Sequence, residues 1–336
     1  MTRQGNKLHP IGKVPAPGPR YTQRGNAPAK RTPGGKLCSR FWAGTRALAC
    51  PILVLVFGLM LVQAVALEAA ELRPDTIKAW TRYAAATEQR IDQELRSNRG
   101  FLAFDYLPQK AAAAERGAVL AGEIPVMKMT AGEKINVPDG MIHHWRGSIF
   151  IPGVDIDLIM SRIVNPRQED TRQEDVLESR VLDRGSDSLK LYLKLRRVKF
   201  VTVVYNTEHS IRYGWRGGSQ AFSRSVATRI AELKDPGATG EREKPIGQDR
   251  GFLWRLNSYW RYQQVNGGVI VECESISLSR AVPGLLEYVI RPLIESTARE
   301  SMARTLGSMR ERMIRAAQQN PPDVTARLSG NANKKR

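Results

Sequence analysis

Cysteine is nearly absent from this chain: Cys38, Cys50 and Cys273 are the only three in 336 residues. Two of them fall in the first 50 residues, so the body of the chain keeps one thiol and has no internal disulfide. Its stability must come from a hydrophobic core, which about 270 residues can supply. Catalytic and cofactor signatures are missing too. No G-x-S-x-G, P-loop, G-x-G-x-x-G or zinc-protease pattern occurs, so no cofactor is expected. No recognition motif accompanies the basic charge, and nucleic acid is not an expected partner.

Acidic residues are absent from 1–46, which hold ten Lys/Arg together with Pro15, Pro17, Pro19, Pro28 and Pro33. Such a leader cannot bury enough apolar surface to offset its ordering entropy and is expected to be disordered. It carries about half of the formal net charge of +19. The basic surplus that remains in the body favours a solvated surface, or an anionic membrane surface or ligand. The one long uncharged run follows, Ala47 to Ala66. Its basic flank and the small-x-small Ala64-Val65-Ala66 fit a signal peptide. About twenty apolar residues also suffice for a membrane anchor. Either reading places the body across the cytoplasmic membrane, periplasmic or anchored facing the periplasm.

Beyond the run, Ile77, Trp80, Tyr83, Ala84, Thr87, Ile91 and Leu95 recur at three- and four-residue spacing and predict a helix over 74–97. Residues 67–121 form an N-terminal helical extension, with an apolar Phe101–Leu107 and an Ala-rich 109–118. From Gly122 to Gly153 the pattern is β-rich, turning at Pro138-Asp139-Gly140, and 154–163 reads as a helix. Leu189, Leu191, Leu193 and Leu195 alternate with polar residues as a half-buried strand. Tyr205, His209, Tyr213 and Trp215 share one parity of the next, and Phe222, Val226 and Ile230 mark another. A hairpin over 252–264 and 269–279 turns at Asn266-Gly267. A last helix is expected from Pro283, with a kink or break at Pro292, then Met302, Leu306, Met309 and Met313 on one stripe. The polar tail 319–336 is expected to be disordered.

This order of elements, and the ending GGVIVECESISLSRAVPGLLEYVIRPLIESTARESMARTLGSMRERM, resemble the START-like, helix-grip superfamily of lipid-transfer domains and polyketide cyclases. The resemblance covers about 122–318, with His143-His144-Trp145 and Tyr259-Trp260-Arg261 suggesting an uncharacterised exported bacterial branch. It implies an α+β fold, a curved antiparallel sheet wrapped around a long C-terminal helix. It also implies a cavity between the two for a lipid, polyketide or similar hydrophobic small molecule, and no particular reaction.

Candidate site residues follow from strand parity. In the hairpin, Arg261 opposes Glu272 and Tyr259 opposes Glu274, all on one face. Trp254, Leu256, Ser258, Trp260 and Tyr262 take the other. The charged face is either a polar floor that orients a ligand headgroup or an outer face of cross-strand salt bridges. Tyr205, His209, Tyr213 and Trp215 are expected to face inward, as core groups or ligand contacts, with His209 a possible general base. His143 and His144 point to opposite faces, so they do not readily share a metal ion. Either is a candidate ligand contact. The function these residues support is an exported ligand carrier. A cyclase- or hydrolase-type enzyme acting in the same cavity and a non-catalytic envelope scaffold are the alternatives.

Overall fold

A computed structural model describes residues 70–130, 135–166, 175–198, 202–282 and 287–319, with backbone alone for 287–291. All belong to one unit, Val54–Arg336. The basic leader, the apolar run 47–66, the Pro283 helix start and residues 320–336 lie outside the described residues. Among those described, no helix is long and apolar enough to cross a membrane.

The chain begins with a short strand β1 (Ala70–Glu71) and helix α1 (Pro74–Arg96). Pro74 sits at the start of α1, Asp75 in its first turn and Arg96 in its last, matching the helix dipole. A 3₁₀ turn (Ala103–Tyr106) and helix α2 (Gln109–Leu120) follow. Next come β2 (Val126–Lys128), β3 (Gly140–Pro152), helix α3 (Ile156–Val164), β4 (Val176–Arg184), β5 (Ser188–Val198), β6 (Thr202–Trp215) and β7 (Gln220–Lys234). Two short strands, β8 (Arg242–Glu243) and β9 (Gln248–Asp249), lead to β10 (Arg255–Val265), β11 (Gly268–Arg280) and helix α4 (Glu287–Gln319).

The main sheet runs β2-β3-β11-β10-β7-β6-β5-β4, with β8 added to β7. Every one of these pairings is antiparallel. The hairpin register matches the expectation: Tyr259 pairs with Glu274 and Arg261 with Glu272. Gly267 takes φ +81° in the turn. A side chain on the next residue, Gly268, would place its Cβ 2.2 Å from the Ile151 carbonyl oxygen. Only glycine lets β11 approach β3 this closely at the turn.

Helix α4 packs on the inner face. Met302, Leu306, Met309 and Met313 join Trp145, Ile149, Ile151, Val269, Val271 and Tyr262 in one core. Gly147 lets the helix approach closely, because a Cβ there would lie 2.7 Å from Leu306 Cδ1. The helix runs through Pro292 unbroken, which corrects the expected break.

The N-terminal extension packs on the outer face. Trp80, Ala84 and Ile91 meet Ile142, Tyr259, Ile276 and Leu278. Phe101, Leu102, Phe104 and Val119 cover Ile270, with Phe150 and Phe222 alongside. Central strands β3 and β11 are therefore buried on both faces, with Arg146, Glu272 and Glu274 among the side chains that the extension covers. Trp254 belongs to this outer cluster rather than to the face of Trp260. It precedes β10, where strand alternation does not yet apply, and its indole N–H donates to Asp249 Oδ1 at 3.0 Å.

Candidate functional site

Between β5, β6, β7, β10 and α4 lies a cavity of about 200 Å³. Leu191, Leu193, Leu195, Ile211 and Leu256 line it, one side chain from every second position of their strands. Its polar groups are His209, the facing pair Ser225 and Ser258, and Thr305 of α4. Arg197 and Asp175, 3.3 Å apart, also border it.

His209 is buried, and desolvation pushes its pKa down to about 4. The imidazole is therefore neutral at neutral pH. Its tautomer follows from its neighbours. The Thr207 hydroxyl donates to the Leu193 carbonyl at 2.9 Å, which leaves Thr207 Oγ1 to accept from His209 Nε2–H at 3.0 Å. Nδ1 then keeps its lone pair, with the Ser225 hydroxyl a distant 3.4 Å away. A ligand donor can compete for that lone pair.

The other members of the inward set divide. Tyr205 is fully buried, its hydroxyl has no hydrogen-bond partner among the described residues, and burial raises its pKa. Tyr213 is half-buried and donates to the Ser186 carbonyl at 3.2 Å. Trp215 is 46% exposed at the end of β6, which corrects its expected place as a buried inward group.

The charged hairpin face does not form the floor of this cavity. Tyr259, Arg261, Glu272 and Glu274 lie on the outer face, away from α4, because their parity is opposite to that of Trp260 and Tyr262. Nor are they solvated salt bridges. All four are at most 3% exposed, sealed by the N-terminal extension. Glu272 accepts from the backbone N–H of Ala103 at 2.6 Å and of Phe104 at 3.2 Å. Arg261 bonds Glu94 of α1 and the Phe101 carbonyl, the latter at 2.9 Å. Arg146 joins Glu115 of α2 at 2.6 Å to Glu272 at 3.4 Å. Tyr259 donates to Glu88 at 3.0 Å.

His143 and His144 separate to opposite faces, as adjacent strand residues must. His143 Nε2 is 2.9 Å from Ser279 Oγ. His144 bridges Tyr83 Oη at Nδ1 and Glu274 Oε1 at Nε2, each at 2.7 Å. Arg90 reaches the same Glu274 oxygen. Burial works to raise the Glu274 carboxyl, but the His144 hydrogen bond and the Arg90 charge outweigh it and hold it low. At Glu272 burial wins over the charges of Arg261 and Arg146, and its carboxyl is raised. Among the described residues no group of three His, Cys, Asp or Glu is placed to hold a metal ion.

Glu94, Glu115, Arg90 and Arg146 complete this seam and were not singled out from the sequence. Glu94 carried a signal. It continues the buried spacing Thr76, Trp80, Ala84, Thr87, Ile91 along α1, and a carboxylate on an apolar stripe requires a partner. Breaking such a buried pair costs several kcal/mol, yet apolar replacements of the whole set are often neutral.

The antiparallel order of the sheet and the C-terminal helix across one face make an α+β, helix-grip arrangement. No family model matches the chain, and no curated relative matches it. Several solved structures are similar. A STAR-related lipid transfer protein fragment from Xanthomonas axonopodis aligns with TM-score 0.38 and 14% identity, over 56% of this chain and 98% of that one. Human STARD10 aligns with TM-score 0.39 and 9% identity, over 67% and 88%. The Zhui aromatase/cyclase from Streptomyces sp. R1128 aligns with TM-score 0.33 and 10% identity, over 52% and 95%.

Proposed function

We propose that the protein binds a small, neutral, largely apolar molecule in the cavity between the sheet and α4. The observation that carries this is a leucine-lined space whose central polar group is an uncharged imidazole with a weakly engaged lone pair. A cavity of about 150 Å³ holds benzene, so about 200 Å³ suits one or two fused rings or a short chain, and not two acyl chains. The ligand's hydroxyl or N–H donates to His209 Nδ1 while its body packs on Leu191, Leu193 and Ile211. An imidazole with a pKa of about 4 is a weak base at neutral pH, which favours binding over acid–base catalysis at this residue.

Export supports the same picture of an envelope ligand carrier. The basic leader and the uncharged run 47–66 support placement of the body beyond the cytoplasmic membrane. A C-terminal alkaline phosphatase fusion that stays inactive in cells would overturn this part alone.

Calorimetric titration of the full chain with 1-naphthol and with naphthalene tests the binding site. Saturable 1-naphthol binding is expected, weakened about tenfold by His209→Phe and abolished by Leu193→Trp, which fills the space. Naphthalene binding should be indifferent to His209→Phe. Binding that survives Leu193→Trp overturns the proposal.

A further inference from the structure

A second cavity, of about 300 Å³, opens on the opposite side of the sheet, between α1 and strands β6, β7 and β10. It exists because the N-terminal extension is there. Ile91 and Leu95 of α1 form one wall, and Phe222 and Tyr259 form the floor. Gly214 faces Phe222 across the β6–β7 pair, and a Cβ at Gly214 would lie 2.7 Å from the Phe222 ring. The ring therefore packs closely on β6 at Gly214 and borders the cavity.

The charges at its edge are unbalanced. The register sets Arg212 of β6 directly opposite Arg224 of β7, and Arg224 opposite Tyr259 of β10. Like charges directly opposite one another destabilise a sheet. Arg224 is offset by Asp92 at 2.8 Å and Glu88 at 3.5 Å. The Arg212 guanidinium is exposed and makes no ion pair or hydrogen bond among the described residues. Asp187 also borders the cavity but forms no ion pair with Arg212 within the described set.

We propose that this cavity is a second binding site, for a small organic anion with a flat apolar body. The body lies between Leu95 and the Phe222 ring, beside the Arg224 guanidinium that stacks over Tyr259. The anionic group, a carboxylate, sulfonate or phosphate, spans Arg212 and Arg224. A bound anion gives Arg212 the charge-assisted partner it lacks. This site is independent of the one lined by His209: the two lie on opposite faces of the sheet, one for a neutral ligand and one for an anion.

The test is calorimetric titration of the full chain with 1-naphthalenesulfonate. Arg212 is exposed, so Arg212→Ala should leave the fold intact, as circular dichroism will check. The expected result is saturable binding that weakens at least about tenfold in Arg212→Ala, recovers partly in Arg212→Lys and falls with added salt. Leu193→Trp, which fills the other cavity, should leave it unchanged. Binding lost in Leu193→Trp and kept in Arg212→Ala would assign the anion to the first cavity and overturn the proposal. Absence of saturable binding, or binding indifferent to both changes, would overturn it as well.

Discussion

Burial strips water from His209 and from Glu272 alike, but their neighbours answer it differently. His209 has hydroxyls around it and no counter-charge, so it stays neutral, with a pKa of about 4 against about 6.5 in an unfolded chain. The unfolded chain therefore takes up this proton first as the pH falls. Stability should drop between about pH 6.5 and pH 4, by at most ~3 kcal/mol from this group. His209→Gln should lose that component, so urea unfolding of both proteins at pH 7 and pH 4.5 will show a gap that changes with pH. A gap of constant size at the two pH values contradicts the assignment. Glu272 instead sits among Arg146, Arg261 and two backbone N–H donors. Glu272→Ala orphans all of these, and chemical denaturation should show a loss of about 3–5 kcal/mol. A loss below about 1 kcal/mol would mean that water reaches the seam.

Element by element, two helices grip the sheet from opposite faces. Helix α4 is seated by shape, with Leu306 against Gly147. Gly147→Ala should cost about 1–3 kcal/mol through overpacking, and Leu306→Ala about 2–5 kcal/mol through the void it leaves. The double variant should cost less than the sum, because the shorter side chain makes room for the new methyl. Additive losses in a denaturation cycle would show that the two residues do not touch. Helix α1 adds buried charge to its apolar stripe, with Arg90 on Glu274, Glu94 on Arg261 and Glu88 on Tyr259. The helix itself, the hairpin register and the Tyr259–Glu274 and Arg261–Glu272 pairs were legible, since each follows from periodicity or from the Asn266-Gly267 turn. The face on which α1 docks was not. Alternation separates two faces of a strand without saying what covers each, and both faces of β10 and β11 carry aromatic and polar residues. Hence Arg261 and Glu274 were weighed as a cavity floor or a solvated face, and they are neither. Trp215 shares the parity of His209, but parity does not show how far a side chain is covered.

The described residues build a nine-stranded antiparallel sheet with a neutral, leucine-lined cavity on the α4 side and an arginine-edged one on the α1 side. The α+β order, a run of antiparallel strands closed by a C-terminal helix, was legible because each element carries its own periodicity. The size of the first cavity was not legible. It depends on how far α4 stands from β5 and β6, which no spacing in the sequence encodes. That size narrows a lipid-like ligand to a compact one. The most direct measurement is native mass spectrometry of the full chain purified without detergent, with organic extraction of whatever is bound. The account predicts a single stoichiometric adduct of one- or two-ring size, absent from Leu193→Trp. A diacyl lipid as the adduct, or an empty protein that takes up no small neutral ligand on incubation, would contradict it.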